Sequence, residues 1–256
     1  MAGETVRTGA ICLDIRPWSR TSHVVSWLTP TGKVATVVKG AVRAKSQFLG
    51  QYDLNYTCDI IYYARAKGEL HALRECVPLE MREGLRGDYR KLALAGYFRR
   101  LVAELAPMGE DCRAWYEGLN RRLDSCVSPK SGEDAASPLG MLLGFELRVL
   151  ELAGLKPDFS RFGAVASASR GDRDGTGKEW LPFSLDAGVF GSNEGRCIRI
   201  SRDVAEYLAS GAKNAKNPQI PLDAARVIGV FYQFHLDCAS DVRRMVLEMI
   251  SSSKEG

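Results

Sequence analysis

The sequence is poor in the groups from which catalytic and metal centres are usually built. Histidine occurs three times, at 23, 71 and 235, never at the spacing of a metal site or a nucleophile–base pair, and H-E-x-x-H and G-x-S-x-G are both absent. Seven cysteines, at 12, 58, 76, 112, 126, 197 and 238, form no C-x-x-C pair and lie mostly in apolar stretches, the pattern of reduced, packed thiols in a cytosolic protein. No run reaches the ~20 apolar residues that span a bilayer, and no charged start plus apolar run marks a secretion signal. Two glycine-bearing stretches fail as ligand loops. Gly175-Thr176-Gly177-Lys178-Glu179 has Asp172 in place of the leading glycine of a phosphate loop and Glu179 in place of the metal-binding hydroxyl, and Asp172 and Asp174 lack the remaining ligands of a calcium loop. The expectation is a cytoplasmic protein with no catalytic residues, no metal, no cofactor and no membrane contact.

Acidic residues are also missing where they would matter most. None occurs between Asp14 and Asp53, although that interval holds Arg16, Arg20, Lys33, Lys39, Arg43 and Lys45. The whole chain is only mildly basic, at +4, so the signal is the segregation of charge and not its total. Trp18, Trp27, Phe48 and Tyr52 are interleaved with these cations. Single-strand binders combine a positive groove for phosphates with aromatic faces for bases, and the same residues could equally be barrel core with a solvated rim. The six cations are the candidate DNA-binding residues, with Lys39, Arg43 and Lys45, on a segment turned by Gly40, as the chief element.

The alternation of apolar residues predicts five strands, near 8–16, 21–28, 33–39, 54–63 and 69–77, with turns at Thr29-Pro30-Thr31-Gly32 and Arg65-Ala66-Lys67-Gly68. Five short strands in some 70 residues suit an OB-fold barrel or an SH3-like one. After Pro78 the period lengthens: Leu94, Phe98, Leu101 and Leu105 share one helical face, as do Trp115, Leu119 and Leu123, and then Leu139, Leu143, Leu147 and Leu150. Ser128 to Ser137 reads as a loop, Ser137-Pro138 as a helix start, and Gly154 and Pro157 as its close. An irregular, mobile insert follows over about 158–198. Helices resume near 201–210, 222–236 and 240–250, with Ser201 and Ser240 as candidate caps. The predicted class is α+β: a barrel domain over 1–80, a helical domain over 81–250 carrying the insert, and a short tail over 251–256.

Three segments, Arg16-Pro17-Trp18-Ser19-Arg20-Thr21-Ser22, Leu28-Thr29-Pro30-Thr31-Gly32-Lys33 and Val38-Lys39-Gly40-Ala41-Val42-Arg43-Ala44-Lys45-Ser46, resemble in order and spacing the N-terminal pattern of the RecO family of DNA repair proteins. Gly144 to Pro157, closing in Gly154-Leu155-Lys156-Pro157, and Phe183-Ser184-Leu185-Asp186-Ala187-Gly188-Val189 are similar to two later markers of that family. The resemblance implies an OB-fold barrel and a non-catalytic, nucleoid-associated recombination mediator. Such a protein would bind and anneal single-stranded DNA, contact double-stranded DNA, RecR and the C-terminal tail of single-strand-binding protein, and indirectly help to load the recombinase RecA. The chain departs from the family at Trp18-Ser19-Arg20, at Val42, and in lacking the four zinc cysteines of many members, with none around Phe162 and Val165. An acidic tail ending in Phe needs an apolar notch beside a cation, and Phe145, Arg148 and Leu152 on the helix from Leu139 to Ala153 are the candidate docking residues. Two other readings compete: a barrel adaptor that binds protein and not DNA, and an accessory subunit of a nucleic-acid enzyme, the latter disfavoured because the acid-free stretch offers no metal ligands.

Overall fold

The computed structural model describes residues 4–65, 68–108, 111–128, 137–159, 162, 172–173, 175, 179–191, 195–212, 215, 217–236 and 240–251. The chain divides into two compact units, Met1–Ser128 and Pro129–Gly256.

Unit one is built on a closed five-stranded barrel: β1 (Thr5–Ser19), β2 (Ser22–Thr29), β3 (Gly32–Val38), β4 (Thr57–Tyr63) and β5 (Leu70–Glu80), in the order β1-β2-β3-β5-β4. The length of β1 makes closure possible. Its first half, Thr5 to Ile11, pairs with β4, and its second half, Ile11 to Ser19, pairs with β2, with register shifts at Cys12/Asp14 and Pro17/Ser19 that let one strand serve both neighbours. The last gap is closed by a parallel pairing of Ala35–Val37 with Leu70–Ala72. This five-stranded closure is the OB-type barrel expected from the strand pattern and the resemblance. Alternate residues fill it, among them Ala10, Cys12, Val25, Trp27, Val38 and Ile60. The Trp27 indole N–H donates to Thr36 Oγ1 at 2.9 Å, so the ring is buried without an orphaned donor.

Two helices complete the unit. In α1 (Tyr89–Leu105) the capping Asp88 accepts from Arg90 N, and Leu94, Phe98 and Leu101 are buried; in α2 (Arg113–Val127) Trp115, Leu119 and Leu123 are. Both helices pack against β1. The compact unit ends at Ser128 and so takes in the barrel and these two helices, and the change of period near 80/81 falls within it, where strand gives way to helix.

Unit two contains α3 (Pro138–Leu152), α4 (Arg202–Ala209), α5 (Gln219–His235) and α6 (Ser240–Ser251). Ser137 caps α3, its Oγ accepting from Gly140 N at 3.0 Å ahead of Pro138. Ser201 occupies the cap position of α4 but makes no side-chain cap bond.

The segment read as irregular contains regular structure. Short strands β6 (Asp172–Arg173), β7 (Glu179–Ser184), β8 (Val189–Phe190) and β9 (Cys197–Ser201) form an antiparallel sheet around β7. Phe183 of β7 packs with Phe159, Phe190 and Phe231. β6 and β8 are too short for alternation to be read, and β7 has a continuous apolar run from Trp180 to Phe183. The rest of Gly171–Gly177, Val165, residues 129–136 of the expected loop, and the tail beyond Ser251 lie outside the described residues.

The helices of unit two are joined by a buried ion pair. Glu146 of α3 accepts from Arg243 of α6 at 2.7 Å (Oε1 from Nε) and 2.9 Å (Oε2 from Nη2), and Arg243 Nη2 also donates to Ala225 O of α5 at 2.7 Å. Gly229 opens the passage, because a Cβ there would stand 2.4 Å from Arg243 Nη1. Arg243→Met leaves Glu146 charged and uncompensated, which is expected to cost about 3–5 kcal/mol, whereas the double variant Glu146→Leu/Arg243→Met should recover most of that loss. Urea unfolding of the three proteins checks this, and equal losses in the single and double variants would contradict it.

Candidate nucleic-acid interface

The barrel brings the acid-free segment to one of its ends. Ser19 pairs with Ser22 and His23 with Val38, so the β1–β2 turn and the exit of β3 are neighbours. The chain leaving β3 is fastened there: Gly40 N donates to Ser22 Oγ at 3.2 Å, and Val42 N to Thr21 O at 3.3 Å. Successive turns follow, Arg43 N to Gly40 O at 3.1 Å and Ser46 N to Arg43 O at 2.9 Å, while Ala41 and Phe48 are buried in the barrel core. Gly40 has φ +65°, a conformation that costs other residues about 1–2 kcal/mol, and Arg43 folds back across it. The loop is thus anchored by apolar residues and displays its polar ones.

Of the six candidate cations, four share this end. Arg20, Lys39, Arg43 and Lys45 are all exposed, and among the described residues none has a carboxylate partner. Arg16 lies nearby on β1, but its Nε is engaged by Asp14 Oδ2 at 2.5 Å, just outside the acid-free interval. Lys33 does not belong to the group. It begins β3, at the opposite end of the barrel, and its Nζ donates to Ala103 O of α1 at 3.0 Å. Burial pulls its pKa below the ordinary lysine value.

The aromatics divide as well. Trp18 is 62% exposed, beside Arg20 on β1, while Trp27 and Phe48 are core residues. Tyr52 is half-buried against Trp27, and its hydroxyl meets His23 Nδ1 at 2.9 Å. Burial raises its pKa far above that of a free phenol. Trp18 is therefore the one of the four offered as a stacking platform. Sequence reasoning passes over Arg99 and Arg100 of α1, whose guanidinium groups reach the crevice beside Lys33. A signal existed: Arg99 lies four residues after Ala95 and three before Val102, both buried, which places a charge on the core flank of a helix.

The docking candidates on α3 separate too. Phe145 is 3% exposed and belongs to the core, so it cannot serve as an open notch. Arg148 is exposed and paired with Glu151 at 2.7 Å. It lines a groove of about 660 Å³ with Leu147, Lys156 and Leu208, and neither Phe145 nor Leu152 contributes to that lining. The apolar stripe on α3 is wide enough that position alone does not separate core from groove. Among the described residues no cluster of three or more His, Cys, Asp or Glu could hold a metal, and no helix is long and apolar enough to cross a membrane.

Comparison with known proteins gives a consistent outcome. The model of the recombination protein O N-terminal domain matches residues 1–82, and that of its C-terminal domain matches residues 86–239. The chain is 27% identical over 154 residues to the DNA repair protein RecO of Alkaliphilus metalliredigens, covering 59% of each chain. It is 26% identical over 159 residues to that of Roseiflexus sp., covering 61% of this chain and 53% of the relative. The chain therefore aligns with between about half and three fifths of the length of these curated relatives.

Proposed function

Because the chain belongs to the recombination protein O family, we propose that it is a DNA repair protein whose barrel binds single-stranded DNA without catalysing a reaction on it. The observation that carries this reading is the cluster of Arg20, Lys39, Arg43 and Lys45, exposed and without carboxylate partners among the described residues, beside the exposed Trp18. Cations of this kind release counterions from the phosphate backbone, and an exposed indole stacks on a base whatever its identity. Pairing two such coated strands anneals them, and double-stranded DNA is held through the same phosphates.

The proposed place of action is the cytoplasm, at the nucleoid. The proposed protein partners are RecR and the acidic tail of single-strand-binding protein, with loading of the recombinase RecA as the indirect result. For the tail, the groove offers Arg148 and Lys156 next to the apolar Leu147 and Leu208, and an acidic tail binding there would displace Glu151, which pairs with both cations at 2.7 and 3.3 Å. Arg148→Glu should weaken a fluorescent tail peptide at least tenfold in a folded protein, since it replaces a charge-assisted contact by a repulsion. An unchanged affinity removes the tail from this groove.

The DNA reading makes two separable demands. Replacing Lys39, Arg43 and Lys45 together by Ala should flatten the plot of log affinity against log salt by roughly two units, at ~0.7 per phosphate contact, equally for any base sequence. Trp18→Ala should instead lower affinity by about 1–3 kcal/mol and leave the salt slope in place. Fluorescence anisotropy with oligonucleotides at several salt concentrations, with circular dichroism to establish folding, measures both. A folded triple variant with the parent's slope removes DNA from this end of the barrel and leaves the protein-binding adaptor.

A further inference from the structure

Lys33 and Arg99 face a crevice of about 450 Å³ enclosed by β1, β2, β3 and α1. Four cations line it, Arg16, Lys33, Arg99 and Arg100, against two carboxylates, Asp14 and Glu104. Both carboxylates are already engaged: Asp14 by Arg16 at 2.5 Å, and Glu104 by Arg100 at 2.6 Å. Lys33 and Arg99 are left with backbone carbonyls, Lys33 Nζ on Ala103 O and Arg99 Nη1 on Leu13 O. A carbonyl satisfies a hydrogen but does not neutralise a charge. Arg99 Nε is shielded from solvent and has no acceptor among the described residues. Burial holds both groups below their ordinary pKa values, for Arg99 against the opposing field of Asp14, so their desolvation is only partly offset.

We propose that this crevice is a phosphate-binding pocket in which the Arg99 guanidinium and the Lys33 ammonium receive one phosphate group. The planar fork of arginine matches two phosphate oxygens, and lysine supplies a point charge to a third. Both donors are held in place before the anion arrives, Lys33 by Ala103 and Arg99 by Leu13. The phosphate is either a diester of a bound strand or a free phosphate or nucleotide. The first source rests on the DNA reading above. Leu13, beside the pocket, and Ser19, at the basic end, both lie on β1. Six residues of strand separate them by ~20 Å. That distance lies within the site of 4–16 nucleotides which an OB barrel covers.

Lys33→Gln and Arg99→Gln in the full chain test this, with Gln at 33 keeping a donor for Ala103 O while removing the charge. One arm measures oligonucleotide affinity against salt. The other measures the thermal midpoint in sodium phosphate against sodium chloride at equal ionic strength, since a bound anion stabilises the folded state. If the phosphate belongs to a strand, Lys33→Gln lowers oligonucleotide affinity roughly tenfold and flattens the salt slope by ~0.7, in addition to the effect of the Lys39, Arg43 and Lys45 replacements. If it is free, inorganic phosphate raises the parent's midpoint, both variants lose that rise, and oligonucleotide affinity is unchanged. A folded Lys33→Gln protein that matches the parent in both arms overturns the pocket, even if Arg99→Gln does not fold. A parent that binds no oligonucleotide but keeps a phosphate-dependent midpoint, lost in Lys33→Gln, ends the DNA reading and leaves the pocket standing.

Discussion

Unit one depends on the guanidinium of Arg82. Its side chain is 2% exposed, and it donates to Asn55 O at 2.7 Å, Thr57 Oγ1 at 2.9 Å, Asn120 Oδ1 at 2.8 Å and Asp124 Oδ1 at 2.8 Å. These acceptors come from the entry of β4 and from the middle and C-terminal half of α2, so one planar fork joins barrel to helix. Arg82 itself is held in the left-handed region, at φ 51° and ψ 45°, immediately before the 3-10 turn Glu83–Leu85. A non-glycine residue there costs of order 1 kcal/mol. Four hydrogen bonds to a charged donor outweigh that strain, since each is worth about 1.5–3 kcal/mol.

This arrangement also sets the geometry of the proposed interface. The excursion between β3 and β4 has to leave the barrel at Val38 and return at Thr57. Its near end is fixed by Gly40 N on Ser22 Oγ, and its far end by Arg82 on Asn55 and Thr57. Ala41, Phe48 and Tyr56 sink into the core between those points. Lys39, Arg43 and Lys45 are therefore presented on a loop whose backbone is pinned at both ends and in the middle, and less conformational entropy is lost when it meets a ligand. Unit two follows the same logic, with the buried Glu146–Arg243 pair joining three helices. In both units the polar joint fixes which elements meet, and the apolar stripes supply most of the driving force.

What was legible in the sequence follows from which signals are local. Period-two alternation located the five barrel strands, although residues 10–13 of β1 and 27–29 of β2 are buried on both faces, with α1 and α2 packed on β1 and α2 on β2. The helices of both units were visible at period 3.6. The parallel pairing of β3 with β5 was not, since it joins residues about 35 apart through no continuous pattern. Nor could composition tell Trp18 from Trp27. Both lie in the same cationic stretch, but one sits within the register shift between Pro17 and Ser19 on β1 and is exposed, while the other finds Thr36 as a buried acceptor. The strands around β7 escaped notice because β6 and β8 are two residues long and β7 carries the adjacent apolar residues Trp180, Leu181, Pro182 and Phe183 in place of an alternation.

The acid-free stretch shows how linear clustering and spatial clustering diverge. Lys33 and Lys39 are six residues apart, yet they stand at opposite ends of β3, separated by ~20 Å of strand. At physiological salt the screening length is about 8 Å, so exposed charges at that distance act almost independently. Arg20 is thirteen residues from Lys33 and nineteen from Lys39, but the hairpin sets it beside Lys39 and away from Lys33. Absence of acid over the whole interval is therefore not needed for either group alone. It matters to each group only near its own end of the strand, where a carboxylate on β2 or β3 would lie within a screening length of the cations there. The cations of the acid-free stretch thus fall into two separate groups, the exposed loop at one end of β3 and Lys33, beside Arg99, at the other, where Asp14 and Glu104 also line the crevice.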